Sequence, residues 1–559
     1  MKVFVDGKQF NLSQQNFVAK GGEGSIFKQG ATAFKIYEDL RKMIPLAKIT
    51  ELNKLDRPEI VRPQSPIYNE KKHLIGFTMD WLGGNIVALC KLFTNSYRDA
   101  NGVTTDSTIE LVENIKNVIH FIHQNKCLIV DGNELNYLVA DDFTTPYFID
   151  VNAWQTPSYQ ATAIMPSIRD WTTDKFNEMT DWFSFAIVAF QLFVGIHPYK
   201  GKHKAYKKND FVNRIKDHVS VFNSSVALPP AVRDFNLIPS AYKNWFFNMF
   251  EHGNRVFPPD MPGQLGNVQV VVQLIQSTDN FEIKELREFV EKVLFHNSAI
   301  KVTKTTDHIF IGKTDYRVSP DVEIVMTPLE QIPIMVKIED EKVAFKAINH
   351  PDPSINLNAT DKLIVNNVLY LKNRDNLMEM DFKYLGGKIH PIIKTTWKIE
   401  PYASQIFSGV IYQSALGKAV LAIPLSTYAK SEFITKRIPE IDEYKILDGK
   451  YENRICVLTG HKGNSYSRII IVFDEKHDKY IVRIVDNIDF TAINFTTLDN
   501  GVCVLITDDD AIEIFLNRLD KPAVKRIEDP VINSTMKLCK NGNTVQFYRD
   551  NKLYEIKMK

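Results

Sequence analysis

Four side chains stand in an order that chemistry can use. Lys35 lies inside an apolar stretch, A-F-K-I-Y, and Asp131 and Asn136 stand five apart in D-G-N-E-L-N. Asp150 closes the apolar run Y-F-I-D, fourteen residues after Asn136. Ahead of all of them is a glycine turn, G-G-E-G, at Gly21, Gly22, Glu23 and Gly24. Glycine lets backbone N–H groups approach phosphate oxygens without a Cβ in the way. A lysine eleven residues after Gly24 brings a cation toward the same phosphates. Asp131 supplies a carboxylate for an acceptor hydroxyl, and Asn136 and Asp150 supply oxygens for a metal ion. Phosphate cover, cation, carboxylate and metal ligands are the groups that phosphoryl transfer requires.

These residues need elements to hold them. Val3–Val5 and Gln9–Leu12 flank the D-G pair Asp6-Gly7, a strong hairpin signal. Phe17–Ala19 and Ser25–Lys28 flank the glycine turn, and Ala33–Tyr37 reads as a further strand. From Asp39 to Leu55 the apolar positions Leu40, Ile44, Ala47, Leu52 and Leu55 recur at roughly helical spacing. His73–Met79 reads as a strand leading to Trp81. Ile109–His123 reads as a helix with Leu111, Ile115, Val118, Ile119 and Ile122 on one face, and His120 and His123 as packing residues of that helix. Helices are expected to dominate after Asp181, beginning with D-W-F-S-F-A.

In this order the segments resemble the protein kinases, and most closely a divergent bacterial and phage branch of Ser/Thr kinases that reads I-D-x-N where this chain has Ile149-Asp150-Val151-Asn152. The resemblance covers residues 1–265. It implies a bilobal domain with an N-lobe over 1–80 and a C-lobe over 85–265. It implies ATP bound with Mg²⁺ or Mn²⁺: Gly22, Gly24, Lys35, Met79 and Trp81 as nucleotide contacts, Asn136 and Asp150 as metal ligands, and Asp131 with Lys35 as the catalytic pair. Asp181 would cap the backbone of the Asp131 loop from below, Glu51 is the nearest fit for a glutamate holding Lys35, and Arg255 would be a buried arginine of the C-lobe. The chain departs from the family where Ile129-Val130 replace His-Arg, where Asn152 replaces the glycine of D-F-G, in the missing third glycine of the turn, and in the absence of a recognisable A-P-E near Met165-Pro166. Without that arginine, control by loop phosphorylation is not expected. The rival reading is a pseudokinase scaffold or a structural component of a multi-protein assembly such as a phage virion.

The 559 residues exceed what one core organises, so two or three domains are expected. Hydrophobic residues make up 44% and charged residues 24%, with a formal net charge of +1, so the bulk balance points to neither a nucleic-acid nor a membrane partner. Five scattered cysteines without a C-x-x-C pair suit neither a disulfide framework nor a structural zinc site. The most apolar stretch, Trp182 to Val194, is too short to span a bilayer. No signal peptide is read at M-K-V-F-V-D-G-K, and the cytoplasm is the expected compartment.

Residues 266–300 read as a connecting helical segment, with helical period in Asn280–His296. From 301 to 559 short β-rich runs recur, beginning at Ile309, Val368, Val410, Ile455, Val502 and Val545, with neighbours 42 to 59 residues apart. Such a period with several strands per unit is the signature of a β-propeller. The fold class expected is therefore multidomain α+β: the kinase-like domain, then an all-β domain of about six blades that binds a protein substrate or partner. A pair of β-sandwiches is the alternative. Closure of a ring would pair Leu553–Lys557 with a strand near the start of the domain.

Overall fold

The structure is a computed structural model that describes residues 1–161, 164–259, 280–312, 314–319, 321–463 and 465–559. It divides into two compact units: Met1–Ser13 with Gly21–Leu274, and Gln14–Lys20 with Ile275–Lys559.

The first unit begins with the hairpin Lys2–Val5 and Lys8–Asn11, turned by Asp6 and Gly7 at φ 47° and 76°. Two consecutive positive φ values are what a two-residue turn of this hand needs. The strand Thr32–Tyr37 lies between Gly24–Gln29 and Leu74–Asp80, with Lys35 opposite Ile26 on one side and Phe77 on the other. The backbones approach so closely that a Cβ at Gly76 would lie 2.0 Å from the Lys35 carbonyl oxygen, and one at Gly24 would lie 2.1 Å from that of Ile36. Only glycine fits at either position. The expected helix over Asp39–Leu55 shrinks to α1, Leu46–Leu52, because Pro45 cannot sit inside a helix and becomes its N-cap.

Five more helices follow: α2 (Asn95–Asn101), α3 (Thr105–Gln124), α4 (Glu178–Val194), α5 (Phe211–Lys216) and α6 (Ser240–Glu251). α3 and α4 each start on a reciprocal capping box, Thr104 with Ser107 and Asn177 with Thr180. α4 is buried from Thr180 to Val194, and Trp182 packs its ring edge-on to His120, His123 and Phe185. A small antiparallel sheet of Ile86–Ala88, Tyr137–Ala140 and Pro146–Phe148 carries the loop of Asp131 and the run ending at Asp150.

In the second unit the segment expected as a connecting helix forms strands, Phe281–Glu288 and Val293–Asn297; residues 266–279 lie outside the described residues. The charges of F-E-I-K-E-L-R-E mimic helical spacing, but pairing along Lys552–Met558 decides the outcome. From there the described residues make seven small antiparallel sheets, six of four strands and one of three. The hydrophobic clusters join consecutive sheets. One runs from Val325 through Val336 to Leu369 and Phe382, the next from Leu363 through Tyr370 to Ile411 and Ala422, and another from Ile455 to Phe515. Each of these clusters draws its residues from two sheets.

This corrects the expected fold class. The chain is predominantly β, with 37 strands against six α-helices among the described residues, and a bilobal α+β arrangement followed by about six blades does not describe it. The charged strand Phe281–Glu288 carries helical spacing without forming a helix. The 59-residue interval between Ile309 and Val368 hid the three-stranded sheet of Glu323–Met326, Pro333–Glu339 and Lys342–Ala347.

The last strand, Lys552–Met558, sits between Phe281–Glu288 and Thr544–Arg549, and Tyr548 Oη donates to the Leu294 carbonyl at 2.8 Å. Deleting Asp550–Lys559 removes the ladder that holds Phe281–Glu288 and leaves Thr544–Arg549 paired with Lys537–Asn541 alone. Hydrogen exchange should then lose protection over 281–288 and 544–549, with the melting transition of the second unit lost and that of the first retained. Unchanged protection there would mean that the terminal strand holds nothing together.

Candidate active site

Lys35 is 7% exposed on the strand Thr32–Tyr37. Cross-strand pairing puts Ala33, Lys35 and Tyr37 on the same sheet face as Phe77 and Met79. The Lys35 ammonium lies 5.4 Å from the Tyr37 ring centre and 5.9 Å from that of Phe77. It donates to Glu23 Oε2 at 2.9 Å and to Asn152 Oδ1 at 2.9 Å, with Asp150 Oδ1 at 3.9 Å. Asn152 Nδ2 completes the ring by donating to Glu23 Oε2 at 3.1 Å. The glycine turn and the Asp150 segment, far apart in sequence, therefore meet on one cation.

Glu51 does not hold Lys35. Its carboxylate accepts from the Ser158 backbone at 3.4 Å, and Ser158 holds it below the usual carboxylate range. The glutamate on Lys35 is Glu23, which the sequence reading treated only as part of the turn. The same reading passed over Tyr37. Its hydroxyl is buried without a hydrogen-bond partner, and burial first, then the charges of Glu23 and Asp150, push its pKa upward.

The Asp131 loop is fixed from beneath. Asp181, 1% exposed on α4, accepts from Ile129 N at 2.8 Å, Val130 N at 2.9 Å and His123 Nε2 at 2.9 Å. Val130 has φ 63°, a conformation costing a β-branched residue on the order of 1–3 kcal/mol, and it stands just before Asp131. Its N–H bond to Asp181 holds that strained backbone in place. Asp131 Oδ1 accepts from Met165 N at 2.8 Å, and Asn136 Nδ2 donates to the Asp131 carbonyl at 2.8 Å and lies 3.4 Å from Oδ2. The Asn136 carbonyl accepts from Ile149 N at 3.0 Å, which ties the loop to the residue before Asp150.

Asp150 takes the left-handed conformation, φ 55° and ψ 31°, and its carboxylate is 58% exposed. Aspartate tolerates this region better than most residues. The amide nitrogen of Asn136 is committed to Asp131, so its oxygen is the atom left for a cation. One open carboxylate and one amide oxygen are hard donors that suit Mg²⁺ or Mn²⁺ completed by phosphate oxygens and water. Among the described residues no group of three or more His, Cys, Asp or Glu forms a metal site on its own.

Gly22 has open space around it, and its carbonyl accepts from Lys42 Nζ at 3.3 Å. Met79 pairs with Ala33 at the end of its strand. Trp81 N donates to Ala31 O at 3.0 Å, and the Lys28 ammonium stands 4.8 Å over the Trp81 ring. Arg255 pairs with Asp170, a residue the sequence reading did not single out, through Nε at 2.6 Å and Nη2 at 2.9 Å. Among the described residues no helix is long and apolar enough to cross a membrane. No protein-family model and no curated protein sequence matches the chain.

Proposed function

We propose that the first unit transfers a phosphoryl group from ATP, with Mg²⁺ or Mn²⁺, to a Ser or Thr hydroxyl of a protein, and that the second unit binds the partner. The observation that carries this reading is the convergence of Lys35, Asp150 and Asn152, with the Asp131–Asn136 loop bonded to Ile149, the residue before Asp150. Lys35 would bond phosphate oxygens, and the apolar face of Ala33, Phe77 and Met79 would take the base. Asp131 would accept the proton of the acceptor hydroxyl or orient it. Asn136 and Asp150 would hold the metal ion, which supplies charge neutralisation on the phosphates.

ATP with Mg²⁺ should raise the melting temperature of the first unit, because a ligand bound to the native state stabilises it by mass action. Lys35→Ala should abolish the shift. Asp150→Asn should weaken the metal-dependent part and leave binding of metal-free nucleotide closer to wild type. No shift at millimolar ATP with either metal would favour the second reading, a scaffold without transfer activity. One contact favours that reading: Met165 N already occupies Asp131 Oδ1.

A further inference from the structure

We propose that Glu23 is an internal substitute for the nucleotide's phosphates: its carboxylate, carried on the glycine turn, holds Lys35 in the empty site and is exchanged for phosphate when nucleotide binds. The inference rests on the proposed nucleotide chemistry and adds a control on affinity to it.

Three observations carry it. The carboxylate lies 2.9 Å from the Lys35 ammonium, at the distance and with the charge that a phosphate oxygen would have. It belongs to the very segment that would cover the phosphates, so phosphate and Glu23 cannot both occupy that face of Lys35 without two anions in contact. The site also keeps a spare donor, since the buried Tyr37 hydroxyl has no hydrogen-bond partner although it stands in the field of Glu23 and Asp150. Glu51 on α1, the other carboxylate considered for Lys35, is engaged by Ser158 instead. The turn's backbone is held, Gly21 N donating to the Gly24 carbonyl at 2.8 Å and Glu38 N to that of Glu23 at 3.3 Å, so the exchange is a movement of the Glu23 side chain, which is 36% exposed.

Two consequences follow. Part of the intrinsic affinity for phosphate is spent in displacing Glu23, and the cost scales with the charge brought to Lys35. Lys35 is also never left as an uncompensated buried cation when the site is empty.

The test is equilibrium binding by calorimetry on the full chain, with AMP-PNP and Mg²⁺ as one probe and adenosine as the other, for wild type, Glu23→Gln, Glu23→Ala and Lys35→Ala. Glu23→Gln and Glu23→Ala should bind AMP-PNP about tenfold more tightly than wild type, the scale of one lost competing ion pair, with adenosine affinity unchanged. Lys35→Ala should lose the preference for AMP-PNP over adenosine. Weaker or unchanged AMP-PNP binding in both Glu23 variants, with wild-type melting temperatures, would overturn the exchange and make Glu23 a fixed support of Lys35. Absence of AMP-PNP and adenosine binding in every protein would instead overturn the nucleotide reading itself, and this inference with it.

Discussion

Asp131→Asn should lower phosphoryl transfer by about 10²-fold or more while nucleotide binding stays near wild type, the usual scale for a positioned acid–base group. The geometry makes this a clean substitution. Asp131 Oδ1 accepts from Met165 N at 2.8 Å, and an asparagine oxygen can keep that bond. The carbonyl of residue 131 still accepts from Asn136 Nδ2 at 2.8 Å, so the candidate metal ligand is not released. Asp181 continues to hold Ile129 N and Val130 N, and the strained Val130 stays in place. What is lost is the charge and the proton-accepting capacity of Oδ2, together with its long contact from Asn136 Nδ2 at 3.4 Å, where the new amide sets donor against donor. The measurement is radiolabelled transfer from ATP onto a protein acceptor, beside nucleotide titrations of both proteins. Equal rates in wild type and Asp131→Asn would remove this residue from the mechanism. A parallel loss of nucleotide affinity would mean that the loop itself had collapsed.

The parts of the site that were legible in the sequence were those set by short-range order. Lys35 sits in a β-rich run whose strand forms as read, and Asp131 and Asn136 are bonded to each other across a turn of six residues. The role of Asp181 came from the resemblance, which implies a carboxylate capping the Asp131 loop from below, and its carboxylate does accept from Ile129 N and Val130 N. The partner of Lys35 was not readable. Whether Glu23 or Glu51 reaches the ammonium depends on how α1 sits relative to the sheet, and no local pattern encodes that. Gly76 carried no signal either, since its need is a close approach to the Lys35 backbone from a strand forty residues away. In the second unit, a strand's outer face carries whatever charges solvent allows. Phe281–Glu288 therefore looked helical until its pairing with the far end of the chain was known. Fold class failed for the same reason: period alone ranked local segments, whereas non-local pairing decided how many of them became strands.

Asp170→Ala should destabilise the first unit by about 3–5 kcal/mol, the usual cost of removing one partner from a buried ion pair. Asp170 is nearly inaccessible, with its side chain 2% exposed, and Arg255 is 14% exposed. The carboxylate accepts from Arg255 Nε and Nη2, and from Thr172 N at 3.0 Å and Thr172 Oγ1 at 2.6 Å. The guanidinium also donates to the Met249 carbonyl and lies 4.3 Å over the Phe183 ring, so it cannot follow solvent outward when its partner is removed. Burial pushes the Asp170 carboxyl up, but Arg255 and Thr172 push it down further, and the net pKa is below the usual value. A depressed carboxyl gives stability that is present above its unfolded pKa, near 3.9, and that is lost as pH falls through the folded value. The gap in melting temperature between wild type and Asp170→Ala should therefore be constant from about pH 6 to 8 and should narrow only in acid below about pH 4. Replacing both partners with apolar residues, Asp170→Leu with Arg255→Met, should recover much of the loss, because the cost comes from the stranded charge. A double variant no more stable than Asp170→Ala would locate the damage in packing instead. The same clamp has a functional reading. Asp170 follows Met165 by five residues, and Met165 N is bonded to Asp131. Loosening the clamp should thus lower transfer activity at temperatures where Asp170→Ala is still folded, and fully retained activity there would separate the clamp from the site.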